Sequence, residues 1–125
     1  MIDIDEVIRI HNILIDEFGG SKGIRDIKLL DSAINRPFQT FDKKDLYPSP
    51  VEKSAAIFES IIINHPFIDG NKRIAYVLMR LVLLQYNLDI IASQDEKYDF
   101  VIQAAKSELD FESIKSWIFS RILQK

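Results

Sequence analysis

The sequence has no cysteine and only two histidines, His11 and His65. Thiol nucleophiles, disulfides, cysteine zinc sites and zinc sites with three histidines are therefore excluded. Any chemistry must come from oxygen and nitrogen groups, unless the protein only binds. The lack of disulfides also favours a cytoplasmic location, because small secreted domains often depend on them.

Signal peptides and long hydrophobic runs are missing as well. The acidic N-terminus, residues 1–6, has neither the basic nor the apolar region of a signal peptide, and no apolar run reaches about 18 residues. The longest candidate, residues 74–84, is interrupted by Arg80. We therefore expect no association with membranes.

The residues that are present suit one compact domain over residues 1–125. Hydrophobic residues make up 47% of the chain and charged residues 28%, and there are four glycines and four prolines. This is enough apolar material for a core and too few helix breakers for disorder. The net charge of -3 argues against broad affinity for nucleic acid, although it does not exclude a local basic patch.

Apolar spacing predicts six helices and no convincing sheet, so the fold class is all-α. The first helix runs from about residue 4 and stops at Gly19 and Gly20. The second follows Asp26 and ends before Pro37, because a residue that precedes proline avoids the helical region. We expect residues 38–47 to be irregular.

The two helices in the middle of the chain are apolar around most of their circumference, which predicts a central position. Ser49, Pro50 and Glu52 give the earlier one a clear start, with an N-cap, a proline in the first turn and a capping box. It should end near Asn64. The later one should run over residues 71–86.

Two further helices complete the chain. A capping box of Ser93 and Glu96 opens the fifth, after a brief extended piece at residues 88–92. The sixth follows Asp110 and carries apolar residues as far as Ile122, with Lys125 among the cations near its end.

Residues 65–73, here called the motif loop, join the two central helices and concentrate unusual chemistry. Gly70 allows a positive φ and close approach of a ligand to backbone N–H groups, and Asn71 is a good N-cap. Lys72 and Arg73 lie in the first helical turn, where the dipole disfavours cations unless an anion is bound. These residues suit a phosphate.

The rest of the motif loop suits phosphoryl chemistry. Asp69 is a hard oxygen ligand for a Mg²⁺ that also contacts phosphates. His65 has a side chain that accepts protons near neutral pH, so it is a candidate general base. Pro66 fixes the backbone, and Phe67 is expected to anchor the loop in the core.

Taken singly, each of these residues has an ordinary structural explanation. A lone histidine usually caps a helix or packs, as we expect of His11, and the segment 69–71 could be a turn before a helix. Lys72 and Arg73 could be a solvated pair. Their joint occurrence between two buried helices favours a functional site, because a structural turn requires neither the histidine nor the cations.

The motif loop resembles the signature loop of the Fic/Doc family, and the similarity extends along most of the chain. The shared features outside the loop are Gly19 and Gly20, the stretches 30–37 and 46–48, and Trp117 near the end, all similar to the "death on curing" toxin branch. The resemblance implies a compact six-helix Fic fold and an enzyme that transfers part of ATP to a protein hydroxyl.

By this resemblance His65 is the general base, Asp69 binds Mg²⁺, and Asn71 and Arg73 contact nucleotide phosphates. Lys72 stands where adenylyl-transferring relatives have glycine, and Tyr76 where they have a second arginine. Both departures match the Doc branch, in which the lysine accompanies a reversed ATP. The expected reaction is therefore transfer of the γ-phosphoryl group, with adenylyl transfer as the alternative.

The same resemblance implies the partners. The target would be a threonine of elongation factor Tu, which would stop translation, and a cognate antitoxin would neutralise the protein. An internal inhibitory helix of the kind that some Fic enzymes carry is not found in the sequence. A non-catalytic helical binding module is the hypothesis from another class, and RNA cleavage is disfavoured by the acidity and the scarcity of histidine.

Overall fold

The structure, a computed structural model, describes residues 2–124 and is mainly helical, as the sequence predicts. The bounds of the helices are α1 Ile4–Phe18, α2 Ile27–Asn35, α3 Pro50–Asn64, α4 Asn71–Leu84, α5 Gln94–Ala105 and α6 Phe111–Phe119. A short 3₁₀ helix, Arg36–Phe38, follows α2. Pro37 lies in its first turn, where an N–H would have no partner within the helix. All six predicted helices are present.

Helices α3 and α4 form the centre of the molecule, which confirms the prediction from their all-round apolar character. They share the most extensive interface of any helix pair, and α1, α2, α5 and α6 surround them. The largest fully buried side chains of the central pair are Phe58, Ile57, Ile61, Ile74, Leu78, Met79 and Leu83. The motif loop therefore has a rigid support on both sides.

Ser49 caps α3 as predicted, but its contact with the Glu52 carboxylate is made by the Ser49 hydroxyl, which differs from the predicted capping box. The Ser49 side chain accepts a hydrogen bond from the Glu52 N–H, and its hydroxyl donates to the Glu52 carboxylate. Ser93 and Glu96 form a complete capping box at the start of α5. Gly19 ends α1 with φ +89°, a conformation that favours glycine.

The expectation of no sheet was wrong in two places. Residues 38–47 contain a hairpin, in which β1 (Thr40–Phe41) pairs with β2 (Lys44–Asp45). The two turn residues, Asp42 and Lys43, have φ of +51° and +65°, as a tight two-residue hairpin turn requires. Aspartate and lysine are a weak sequence signal for such a turn, which usually contains asparagine or glycine.

The second sheet lies at the C-terminal end. Strand β3 (Leu88–Ile90) pairs antiparallel with β4 (Ile122–Gln124). Ile122 therefore lies in a strand and not on the last helix, which ends at Phe119, while Lys125 falls outside the described residues. The periodic apolar spacing continues past the true end of α6, and only the pairing with β3 reveals the strand.

Helix α4 ends at Leu84, two residues before the predicted Tyr86, which is within the usual scatter of helix ends. In the part of the chain that the structure describes, we find no helix with both the length and the hydropathy to cross a membrane.

Candidate active site

The motif loop makes two sharp turns, one at each end. His65 follows the last residue of α3 in the left-handed region, at φ +48°, and its N–H donates to the Ile61 carbonyl. Gly70 precedes α4 with φ +74°. These turns bring the exposed His65 side chain and the start of α4 to the same cleft.

Asn71 is buried, and its side chain forms hydrogen bonds with the backbone of the same loop. Its amide oxygen accepts from the Phe67 N–H at 3.0 Å, and its amide nitrogen donates to the Phe67 carbonyl at 2.9 Å. The prediction that Asn71 caps α4 was therefore wrong, because Gly70 is the capping residue and Asn71 is the first helical residue. The side chain satisfies the buried Phe67 peptide groups, which would otherwise lack partners.

His11 lies directly beneath the motif loop, in the middle of α1. Only 1% of its surface is exposed, and its ring stacks on Phe67 with the ring centres 3.8 Å apart. Its Nε2 atom donates to the Asp69 carbonyl at 2.7 Å. The sequence suggests an ordinary structural histidine, since nothing in the spacing of α1 shows that this residue meets a loop 58 positions away.

The segment between α1 and α2 holds the outer side of the loop. The Pro66 carbonyl accepts from the N–H groups of Arg25 and Asp26, and the Ile68 N–H donates to the Gly23 carbonyl. The Arg25 side chain donates to the His65 carbonyl at 2.7 Å. These four hydrogen bonds leave the loop backbone little freedom, although the side chains of His65, Asp69 and Lys72 are exposed.

The Asp69 carboxylate is exposed and held by two backbone donors. One oxygen accepts from the Ser21 N–H at 3.1 Å and the other from the Gly70 N–H at 2.8 Å. These two bonds, with smaller effects of His11 and Lys72, lower the pKa of Asp69 below its usual value of 3.8. The group is therefore ionised at neutral pH, as a ligand for a hard cation must be.

Lys72 and Arg73 are exposed in the first turn of α4, which contains no acidic residue. The Arg73 guanidinium lies over the Phe18 ring, 4.1 Å from its centre, at the end of α1. Both cations and the N-terminal end of the helix dipole contribute positive potential to one spot.

These groups line a cleft of about 660 Å³, which is in the size range of small-molecule sites. One side contains His65, Asp69, Gly70, Asn71, Lys72 and Arg73. Helix α5 also lines the cleft, with Lys97, Tyr98 and Val101. The structure thus brings together every polar residue singled out in the motif loop, while Pro66 and Phe67 are buried behind them.

Tyr76, one turn further along α4, also lines the cleft. Burial raises the pKa of its phenol to about 12, and the hydroxyl has no hydrogen-bond partner among residues 2–124. The side chain is therefore neutral at physiological pH and cannot neutralise a phosphate.

A metal ion bound at Asp69 would need phosphate oxygens and water as its other ligands. Residues 2–124 contain no group of three or more histidine, aspartate or glutamate side chains that could hold a metal ion. Asp69 presents two oxygens, each with capacity left beside its backbone hydrogen bond. One carboxylate fits Mg²⁺, which commonly takes one or two carboxylates together with phosphate oxygens and water.

Comparisons with known proteins identify the family of the chain. The sequence model described as the Fic/DOC family matches residues 1–83, which contain the motif loop and both α1 and α3. Toxin Doc from Mycolicibacterium smegmatis is 35% identical over 99 residues, which is 78% of this chain and 76% of that toxin. The chain belongs to the Fic/DOC family.

Proposed function

We propose that the protein is a toxin that transfers the γ-phosphoryl group of ATP to a hydroxyl group of a translation factor. The observation that carries the proposal is the single cleft in which a histidine, a carboxylate, two cations and a helix N-terminus lie together. The similarity to a protein named Toxin Doc supports the toxin activity.

His65 acts as the general base in this proposal. Its exposed side chain stands at the rim where α3 ends, so a hydroxyl of a protein partner can reach it. The imidazole takes the hydroxyl proton, the hydroxyl oxygen bonds to the γ-phosphorus, and the bond from that phosphorus to the β,γ-bridging oxygen breaks. ADP leaves with the electron pair.

Asp69 is the residue that would hold Mg²⁺. When bound, the ion neutralises phosphate charge and orients the phosphates. The backbone donors of Ser21 and Gly70 keep the carboxylate ionised and fixed in direction, so it needs no rearrangement to accept the ion.

The start of α4 binds the phosphates. Gly70 allows the left-handed turn into α4, where a Cβ would lie 3.1 Å from Ile15, and Lys72 and Arg73 add two positive charges at the helix N-terminus. The Asn71 side chain contributes by fixing the loop, since it is hydrogen-bonded to the N–H and the carbonyl of Phe67. Its backbone is part of the helix start that binds the phosphates.

Two residues favour transfer of the γ-phosphoryl group over the adenylyl group. The Lys72 side chain occupies space at the helix start that a closely seated phosphate would need, and it offers its own phosphate contact. Tyr76 is neutral, so a second cation is missing one turn further on. Adenylyl transfer is the second candidate, because the remaining groups suit it equally.

For the target we propose a threonine of elongation factor Tu, and for the physiological inhibitor a cognate antitoxin. Exposed apolar side chains on α1 suit a partner that folds on this surface, since Ile13 is 52% and Phe18 is 58% exposed. Phe119 at the end of α6 is a further exposed apolar residue.

Labelled ATP distinguishes the candidates. The protein is incubated with elongation factor Tu and ATP that carries label at either the α or the γ position. Transfer of γ label alone is expected, and transfer of α label alone would replace the proposal by adenylylation.

The variant His65→Ala tests whether the protein is an enzyme at all. Transfer and toxicity should fall by about 100-fold or more, as is typical of losing a general base. Stability should not change, because the side chain is exposed. Toxicity equal to that of the wild type, with the helical circular dichroism signal retained, would favour a non-catalytic binding module.

A further inference from the structure

The peptide between Asp69 and Gly70 is the part of the motif loop whose orientation matters most. In a trans peptide the C=O and the N–H point in opposite directions. Here the Asp69 carbonyl points inward to His11 Nε2, at 2.7 Å, and the Gly70 N–H meets the Asp69 carboxylate at the cleft. A rotation of this peptide by half a turn would bring the carbonyl oxygen to the cleft side.

Such a rotation is easy at this position unless something opposes it. Gly70 lacks a Cβ and accepts both positive and negative φ, so it imposes no steric barrier of its own. Asn71 holds the N–H and the carbonyl of Phe67, which belong to earlier peptides, and the Ile68 N–H is held by Gly23. Within residues 2–124, two hydrogen bonds hold the Asp69–Gly70 peptide: its N–H donates to the Asp69 carboxylate, and its carbonyl accepts from His11.

The position of His11 makes this bond selective for one orientation. The ring is buried and stacked on Phe67 at an angle of 8°, so it cannot turn away to follow a rotated peptide. While the ring carries its proton on Nε2, it donates to a carbonyl oxygen in front of it, whereas a peptide N–H turned inward would meet another N–H.

We propose that His11 is a positioning residue that locks the Asp69–Gly70 peptide with its N–H toward the cleft, through a hydrogen bond from Nε2 to the Asp69 carbonyl. This inference rests on the proposed function, because the locked N–H lies at the phosphate-binding start of α4. His11 itself touches neither the nucleotide nor the reacting atoms.

Two variants separate the hydrogen bond from the packing. His11→Phe keeps an aromatic ring stacked on Phe67 and removes the donor. His11→Gln can place its amide nitrogen close to the position of Nε2 and keeps the donor without the ring. The Gly70 amide is observed in both by nitrogen-15 NMR of the nucleotide-free protein, and Ile118→Val in the distant α6 serves as a control for lost packing.

The proposal expects the Gly70 amide to change its chemical shift and to exchange with solvent about fivefold to tenfold faster in His11→Phe, the equilibrium equivalent of one lost hydrogen bond. His11→Gln and Ile118→Val should keep both values near those of the wild type. An unchanged Gly70 amide in a folded His11→Phe would overturn the proposal.

The wild-type protein provides a measurement that needs no variant. Because Nε2 must donate to the Asp69 carbonyl, the ring has to carry its proton on Nε2, which nitrogen-15 shifts of the imidazole report directly. A neutral ring protonated only at Nδ1 would overturn the proposal. Neither measurement uses ATP, so they decide the role of His11 separately from the proposed function, whose own failure would show as absent transfer from ATP.

Discussion

The two central helices begin in opposite ways. At the start of α3, the Ser49 side chain accepts from the Glu52 N–H at 3.1 Å, and Glu52 adds a negative charge to the first turn. At the start of α4, Gly70 offers no side-chain acceptor, and the first turn carries Lys72 and Arg73. Within residues 2–124, α4 is the one α-helix that starts without a side-chain cap.

The difference shows where the chain accepts a local energetic cost. A glycine cap costs about 0.3 kcal/mol relative to a side-chain cap, and each misplaced cation costs about 0.3 kcal/mol or more. The extensive packing of α4 against α3 offsets these costs. Local conflicts of this kind concentrate at functional sites. The comparison predicts that replacing an exposed cation in the first turn of α4 alters transfer, while replacing the Ser49 cap of α3 alters stability.

The largest expected effect belongs to Lys72→Ala. Phosphoryl transfer should fall by about 100-fold, the usual result of removing one donor to a charged transition state. The free protein should become slightly more stable, by about 0.3 kcal/mol, because a cation leaves the positive end of the helix dipole. Kinetics with labelled ATP and urea unfolding measure the two effects.

Lys28→Ala is the matched control. Lys28 is also exposed and occupies the second position of α2, as Lys72 does in α4. It should reproduce the small change in stability and leave transfer unaffected. If Lys72→Ala reduced stability and left transfer intact, the contrast between the two helix starts would not hold.

Asn71→Ala sharpens the comparison by removing the buried clamp behind α4. The N–H and carbonyl of Phe67 would lose their partners in a buried position, which should cost about 2 kcal/mol of unfolding free energy. Thermal and urea unfolding provide the measurement. Asn64→Ala, at the end of α3, should change stability much less, since its backbone carbonyl and not its side chain accepts from Arg25.

Ser49→Ala tests the other helix start. The loss of the N-cap should reduce unfolding free energy by about 1 kcal/mol and leave transfer unchanged. Ser49→Asp restores an acceptor and should recover most of the loss. Reduced transfer in Ser49→Ala at a temperature where it is fully folded would contradict the separation of roles.

The smallest effect concerns the pH dependence from Asp69. Its pKa is lower in the folded protein than the usual 3.8, so ionised Asp69 stabilises the fold above that pH and the contribution disappears as the pH falls through the folded value. The difference in unfolding free energy between the wild type and Asp69→Asn should therefore shrink on acidification.

Glu96→Gln provides the comparison at another helix start. The pKa of Glu96 is also lowered, chiefly by its hydrogen bond with the Ser93 backbone and then by Arg121. Its contribution should fade with acid in the same direction. A difference for Asp69→Asn that grew on acidification would show that the Ser21 and Gly70 bonds do not hold the charged carboxylate.

Local signals located most of the helices and all of the motif loop. Ser49, Ser93 and Asp110 act as caps where the spacing places them, because capping depends on residues within one turn. The hairpin at residues 40–45 and strand β4 escaped prediction, since their pairing depends on partners and turn geometry that short segments do not reveal.

The sequence by itself determined the kinds of group that the motif loop offers for chemistry: one histidine, one carboxylate and two cations around a glycine. Tertiary structure decided how they are held. The Asn71 side chain bonds the Phe67 backbone in a buried position and does not cap the helix. His11 bonds the Asp69 carbonyl although 58 positions separate the two residues. The physical reason is that side-chain chemistry is a local property, whereas the direction of a peptide group depends on whichever distant residue packs against it.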